Sequence, residues 1–283
     1  MKLYYAVGGG LGHITRAQAF IRHFSLEDVI VVTSSIYTKS ILGDIPFQVL
    51  PSDLASSKES LSNWINNFIR ENNVTEIYLD AFPAGIIGEW SNCIHSNITF
   101  YYVARILNLE AYKKHISKSL PVFKTVFVCE GLPIEQMEFI SKLTDNIENV
   151  EFNYPERESY ELPEFLQNRQ SEKIWLIIHS GSKEECMVLY NHALDLAQLE
   201  NAKASIILIH PEPHLFKGEK LEVYQCFHQS EMYKAADKIF TACGFNSMHQ
   251  LKNYREKHIF IPFHRKYDDQ FLRAKYFKGL INS

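Results

Sequence analysis

One run of glycines around a histidine constrains this chain more than anything else in it. Leu3-Tyr4-Tyr5-Ala6-Val7 is short and apolar, Gly8-Gly9-Gly10-Leu11-Gly12-His13 follows, and from Ile14 to Phe20 apolar residues recur at helical spacing. Apolar run, glycines and amphipathic segment together read as strand, tight loop and helix. Glycine permits positive φ and lets a ligand approach the backbone without meeting a β-carbon. The helix that follows offers free N–H groups and a partial positive charge to an anion. Gly10 and Gly12, with Arg16 in the helix they open, are therefore candidate substrate-binding residues. An imidazole at the mouth of such a turn can take a proton near neutral pH, so His13 is a candidate catalytic base, its alternative role being to cap the helix.

The same alternation continues down the chain. Asp28–Thr33 and Phe47–Leu50 read as strands, and Ser57–Asn72 reads as a surface helix with Leu61, Trp64, Ile65, Phe68 and Ile69 on one stripe. Ile77–Asp80 is a further strand, and Ala81-Phe82-Pro83-Ala84-Gly85 turns from it into an expected helix carrying Glu89. Ligands of open α/β sheets gather outside the carboxyl ends of strands, which makes Asp80 and Glu89 candidate acceptor contacts, against the alternative that they bond only local backbone. Asn97–Arg105 is a strand ending in Arg105, which can pair with a carboxylate or phosphate. Thr125–Glu130 is one more. Alternating strands and helices imply parallel sheets with crossover helices.

Between about Glu151 and Glu172 periodicity lapses and Pro163 interrupts the chain, the mark of a linker. A second α/β unit begins at Ile174–Ile178, and its His179-Ser180-Gly181-Ser182 turn echoes the first, so Ser180 and Gly181 join the candidate binding residues. Ala204–Ile209 is its next strand. The expected domains are 1–155 and 172–283, each with a Rossmann-like parallel sheet, holding a ligand in the cleft between two glycine loops.

At 283 residues the chain is long enough for two such cores. Its formal charge of −4 gives no reason to expect nucleic acid. The five cysteines are scattered without a C-x-x-C pair, against a disulfide framework or a structural zinc site and in favour of a reducing compartment. With no signal-peptide pattern and no apolar stretch of about 18 residues, the expected location is cytoplasmic, with peripheral membrane contact left open.

The most informative segment runs from Ser230 to Leu251, then through Ile259–Phe263 to Gln270. It reads as short helix, strand, glycine turn and helix start, with Gly244, Asn246 and Ser247 placed to receive a pyrophosphate. Here the chain resembles GT-B glycosyltransferases, specifically the group around MurG, the GlcNAc transferase of peptidoglycan lipid synthesis. Gly8 to His13 match that family's N-terminal G-G-x-G-G-H-like turn. Met232, Ala236, Asp237, Gly244, Ser247, Pro262, Phe263 and Gln270 match its M-x-x-A-D, G-x-x-[ST]-x-x-E and P-F…Q runs. The Asp80–Gly85 turn is similar to the D-x-F-P-x-G turn of related transferases.

The resemblance implies an inverting transferase that uses a UDP-sugar, UDP-GlcNAc among the options, and needs no cofactor or tightly bound metal. Its acceptor would be a hydroxyl of an unknown glycan or glycolipid in cell-surface polymer synthesis. His13 would be the base that deprotonates the acceptor hydroxyl, or would orient the sugar and phosphate; Gly244 to Ser247 would hold the diphosphate, Gln270 and Asp269 would contact the sugar, and Phe227 and Met232 would pack the uracil. Two departures stand out. Gln250 replaces the family's ribose-binding acid, and the chain ends about a dozen residues beyond Gln270, where many relatives continue with crossing helices; a partner subunit could supply those contacts. The turn Gly10-Leu11-Gly12-His13-Ile14-Thr15-Arg16 also resembles the UDP-sugar hydrolase of pseudaminic acid synthesis, with His13 then activating water. A non-catalytic nucleotide-sugar-binding subunit is the third reading.

Overall fold

The computed structural model describes all residues except 92–96, 117–119, 153, 155–161, 168, 170–172, 228–229 and 281–283. Strands are β1 (Lys2–Ala6), β2 (Val29–Thr33), β3 (Phe47–Val49), β4 (Glu76–Asp80), β5 (Thr99–Ala104), β6 (Phe123–Val128), β7 (Ile147–Asn149), β8 (Lys173–Ile178), β9 (Ala204–Ile209), β10 (Glu222–Tyr224), β11 (Lys238–Ala242) and β12 (His258–Ile261). Helices are α1 (Gly12–His23), α2 (Thr38–Leu42), α3 (Lys58–Glu71), α4 (Leu109–Tyr112), α5 (Ile134–Ile140), α6 (Glu164–Gln167), α7 (Lys183–Leu199), α8 (Ser230–Ala235), α9 (Phe245–Gln250) and α10 (Gln270–Phe277).

The chain divides into two compact units. Unit 1 comprises Met1–Asn153, Arg265–Asp269 and Gly279–Ser283; unit 2 comprises Tyr154–His264 and Gln270–Lys278. Unit 1 is built on a seven-stranded sheet in the order β3-β2-β1-β4-β5-β6-β7, and unit 2 on a five-stranded sheet in the order β10-β9-β8-β11-β12. Every pairing in both sheets is parallel. Parallel strands covered by helices on both faces bury both sides, which is why β1, β2, β4, β8 and β9 are nearly unbroken apolar runs. The strand order reverses between β1 and β4 in unit 1 and between β8 and β11 in unit 2. Those are the switch points where the loops beyond the strand ends diverge and leave room for a ligand.

The core of unit 1 is heavily aromatic: Tyr4 packs on Phe20 and Tyr78, and Phe20 reaches Phe127 and Phe152. Of the stripe on α3, Leu61, Ile65, Phe68 and Ile69 are buried as their spacing predicts, whereas Trp64 is half-buried and stacks on Phe68, and Ser57 caps the helix by accepting from Ser60 N–H. Unit 2 sandwiches its sheet between two clusters, one of Leu176, Ile207, Met232 and Ile239, the other of Trp175, Leu189, Leu208 and Phe240.

The structure corrects the expected helix after β4. Residues 81–91 form a succession of turns with positive φ at Ala81, Gly85 and Gly88. Glu89 closes them, its carboxylate accepting from Ile86 N–H, Ile87 N–H and the Tyr5 hydroxyl. A β-carbon on Gly85 would lie 2.2 Å from that carboxylate, so glycine is required both for its φ of 83° and for the space. Strands β7 and β10 escape the sequence reading because both are three-residue edge strands with polar positions facing solvent. Much of the expected linker lies outside the described residues; α6 sits within it and Leu166 is buried in unit 2.

Candidate active site

The switch point of unit 1 holds a buried ionic network. Asp80 ends β4, and its carboxylate receives four bonds: Tyr4 Oη at 3.0 Å, Arg16 Nε and Nη2 both at 2.6 Å, and His13 Nδ1 at 2.5 Å. Asp80, His13 and Arg16 are all buried. One turn of α1 separates His13 from Arg16, which brings both side chains to the same carboxylate. Beyond Asp80 the chain turns sharply at Ala81 (φ 64°), and the Tyr102 and Tyr112 hydroxyls brace the next residues through Ala81 O, Ala84 N and Gly85 O.

Electrostatics assign the protons. Burial by itself raises the Asp80 carboxyl, but the Arg16 guanidinium and the His13 bond outweigh it and hold Asp80 well below the usual carboxylate range. Burial lowers His13, and the Asp80 bond and charge only partly offset this, so the imidazole is neutral at pH 7. Asp80 therefore accepts the Nδ1 proton, and the lone pair falls on Nε2. Nothing in the described protein bonds Nε2. It lies over Gly8, where a β-carbon would come within 2.1 Å of it, beside the exposed Gly9 and Gly10. Gly8 N–H and carbonyl are both tied to the Ser34 hydroxyl, at 3.3 and 2.8 Å. Phe82 flanks the imidazole, ring centroids 5.6 Å apart. The arrangement can remove a proton from a hydroxyl or water presented at Nε2.

The other residues singled out in unit 1 divide clearly. Glu89 is fully buried and committed to its own turn rather than open to a ligand. Arg105 follows β5 and bonds Asp268 Oδ1 at 2.5 Å as well as Ile106 O. Gly10 (φ 75°) and Gly12 line the entrance to α1, which has neither a side-chain cap nor an acid in its first turn. Asp269 belongs to the 265–269 segment, where Tyr267 packs on Phe82 and Tyr112 and bonds His115 at 2.7 Å.

In unit 2 the two turns at the switch point differ. Exposed Ser180 and half-buried Gly181 precede α7, but Ser182 caps that helix, Glu184 and Glu185 occupy its first turn, and Glu185 pairs with His179 at 2.8 Å. An anion there would meet carboxylates. Gly244 precedes α9 with no side-chain cap and no acid in the first turn, and Ser247 is partly exposed. Asn246 accepts from Tyr154 Oη at 3.1 Å, and Arg273, fully buried, donates to Cys243 O at 2.9 Å and braces the turn from behind. Met232 lies fully buried in the core, away from the surface a base could stack on. Phe227 is partly exposed in the loop before α8. Gln250 accepts from Tyr233 Oη at 3.3 Å, and buried Gln270 accepts from Phe263 N–H at 3.0 Å, closing the loop 263–270.

Sequence reading assigns no individual role to Tyr4, Asp268 or Arg273, and names Gly8 only as part of the glycine turn. Tyr4 had one local signal, a hydroxyl inside a buried strand that must find a partner. The others show only in three dimensions. Among the described residues no group of three or more potential metal ligands is found, and no helix is long and apolar enough to cross a membrane.

Two parallel α/β units with these strand orders are the GT-B fold, and solved glycosyltransferase structures match it over 98% of this chain or more. The chain is similar to the kitacinnamycin glycosyltransferase (12% identity, 99% of this chain and 84% of that one, TM-score 0.64). It is similar to the Streptomyces sp. SF2575 glycosyltransferase SsfS6 complexed with thymidine diphosphate (11% identity, 98% and 85%, TM-score 0.61). It is also similar to S. aureus MnaA in a co-structure with UDP (10% identity, 100% and 98%, TM-score 0.58). No protein-family model matches the sequence, and no curated protein matches it significantly.

Proposed function

We propose that this protein transfers a sugar from a nucleotide diphosphate, UDP in the first instance, to a hydroxyl acceptor with inversion. One observation carries the reading: a buried histidine, neutral and oriented by an ionised aspartate, with its free nitrogen at an open glycine turn. In this reading His13 Nε2 takes the acceptor proton, the acceptor oxygen bonds the anomeric carbon, and the bond from that carbon to the diphosphate breaks with both electrons leaving on UDP. Asp80 holds the imidazole tautomer and stabilises the imidazolium. The uncapped Gly244–Ser247 turn is the preferred diphosphate contact, with developing charge met by backbone N–H groups and no metal required.

The neighbours bound to thymidine diphosphate and UDP support a nucleotide-sugar donor. The MurG-like relationship, a glycan or glycolipid acceptor, and work at the cytoplasmic face of a membrane extend the same reading. A UDP-sugar hydrolase is the second reading, because an acceptor water at Nε2 uses the same residues.

The deciding experiment is calorimetry with UDP and UDP-GlcNAc, without magnesium, with free UDP followed first without and then with a panel of sugar and glycolipid hydroxyl acceptors, for wild type and His13→Ala. The expected result is UDP binding by both proteins, within about twofold, and turnover reduced roughly 10²-fold or more in the variant. Wild-type turnover in His13→Ala would remove the base from the mechanism. Steady UDP release without any acceptor would establish the hydrolase instead.

A further inference from the structure

Four groups meet in the unit 1 network, and the proposed chemistry uses only two. Arg16, nearly fully buried, makes a two-pronged contact to Asp80, and its Nη2 lies 3.4 Å from His13 Nδ1. Tyr4 from β1 adds a third direction of restraint. An arginine placed to receive a substrate anion would be open to solvent. This one is spent on a carboxylate of its own chain.

We infer that Arg16 is a positioning residue: its planar fork fixes Asp80 in the orientation that holds His13, and its charge cancels that of Asp80, keeping His13 in the neutral form that can act as a base. The inference deepens the reading of His13 as the base, yet its central claim concerns the protonation of His13 and is testable without turnover.

Asp80 alone beside His13 would form a buried ion pair, stabilising the imidazolium and blocking Nε2 with a proton at neutral pH. With Arg16 on the same carboxylate the ionic pair is already complete, and a proton on His13 adds an uncompensated buried charge. The remaining groups around the network do not reverse this. Arg105 at the end of β5 opposes a charged His13 and is itself paired with Asp268. Tyr4 and Tyr102 stay protonated because burial raises them, and burial pushes the Cys129 thiol up beyond physiological reach. The fork matters as well as the charge, since a lysine cannot bond both Asp80 oxygens in one plane.

The test follows the His13 ring protons by NMR across pH in ligand-free protein, for wild type, Arg16→Gln and Arg16→Lys, together with the pH profile of UDP release. Arg16→Gln should raise the His13 midpoint by roughly 1–3 units and move the acid limb of the rate profile with it. Arg16→Lys keeps the cation, so its midpoint should stay within about half a unit of wild type while turnover falls at every pH. A His13 midpoint unmoved in Arg16→Gln, or raised by about a unit or more in Arg16→Lys, would overturn the inference. If Arg16→Gln does not fold, the Arg16→Lys midpoint decides alone. Loss of turnover in His13→Ala bears on the base itself, whereas these midpoints bear on Arg16, so the two claims fail separately.

Discussion

His13 is held from two sides by groups of different kinds: Asp80 bonds its Nδ1, and the bare α-carbon of Gly8 makes room for its other edge. A methyl at Gly8 would lie 2.1 Å from Nε2 and 2.4 Å from Cδ2, inside any real contact distance, so the ring must move. Gly8→Ala is therefore expected to cut UDP release roughly 10²-fold, since a displacement near 1 Å at a reacting group has effects of that order. UDP affinity and the circular dichroism spectrum should stay as in wild type, because Gly8 lies beyond the end of β1, outside the sheet, and is no part of the proposed diphosphate turn Gly244–Ser247. Activity within about twofold of wild type would show that Nε2 is not the reacting atom. The motif makes His13 stand out in the sequence, but the reason for Gly8 does not appear there: the side chain it accommodates arrives from the helix one turn further on.

At the scale of elements, what lies beyond β4 departs most from expectation. The chain after the Ala81–Gly85 turn reads as a helix carrying Glu89, yet residues 81–91 turn repeatedly and Glu89 gathers N–H groups in place of a helical ladder. Buried polar groups demand partners, and one carboxylate with three donors meets that demand without regular structure. Glu89→Gln sets an amide N–H₂ against a backbone N–H that had an acceptor. Unfolding by urea should register a loss of roughly 1–3 kcal/mol, with nucleotide affinity unaffected. An unchanged urea midpoint would assign the turn's stability elsewhere. The two glycine turns of unit 2 carry a similar lesson: Gly181 and Gly244 look alike in the sequence, and the capping serine and acidic first turn of α7 set them apart. Those α7 residues are plain in the sequence once the helix start is known. Their meaning depends on the exact position of that start, the least legible property of a helix.

Across the molecule, acid should destabilise the fold in stages. Burial holds His258 down to about 4 and lowers His13 too, so in the folded chain both stay neutral at pH values where the unfolded chain binds protons. Stability attributable to them is complete above the unfolded value near 6.5 and declines as pH falls from there. For His258 the loss reaches roughly 3 kcal/mol near pH 4. Asp80, held below its ordinary range, adds a loss only below about pH 4. Urea midpoints between pH 7.5 and 4.5 should therefore fall, and fall less steeply in His258→Gln; equal slopes would mean that His258 titrates normally. By itself the sequence determined most of the succession of strand, turn and helix, the two units and the glycine turns at their switch points, because buried parallel strands must be apolar and glycine is favoured where a turn needs positive φ or close approach. The partners were decided by tertiary structure alone. Asp80 meets His13 across 67 residues, and Arg105 meets Asp268 across 163. Such pairings follow from which strand ends lie side by side, and a local pattern carries no record of that.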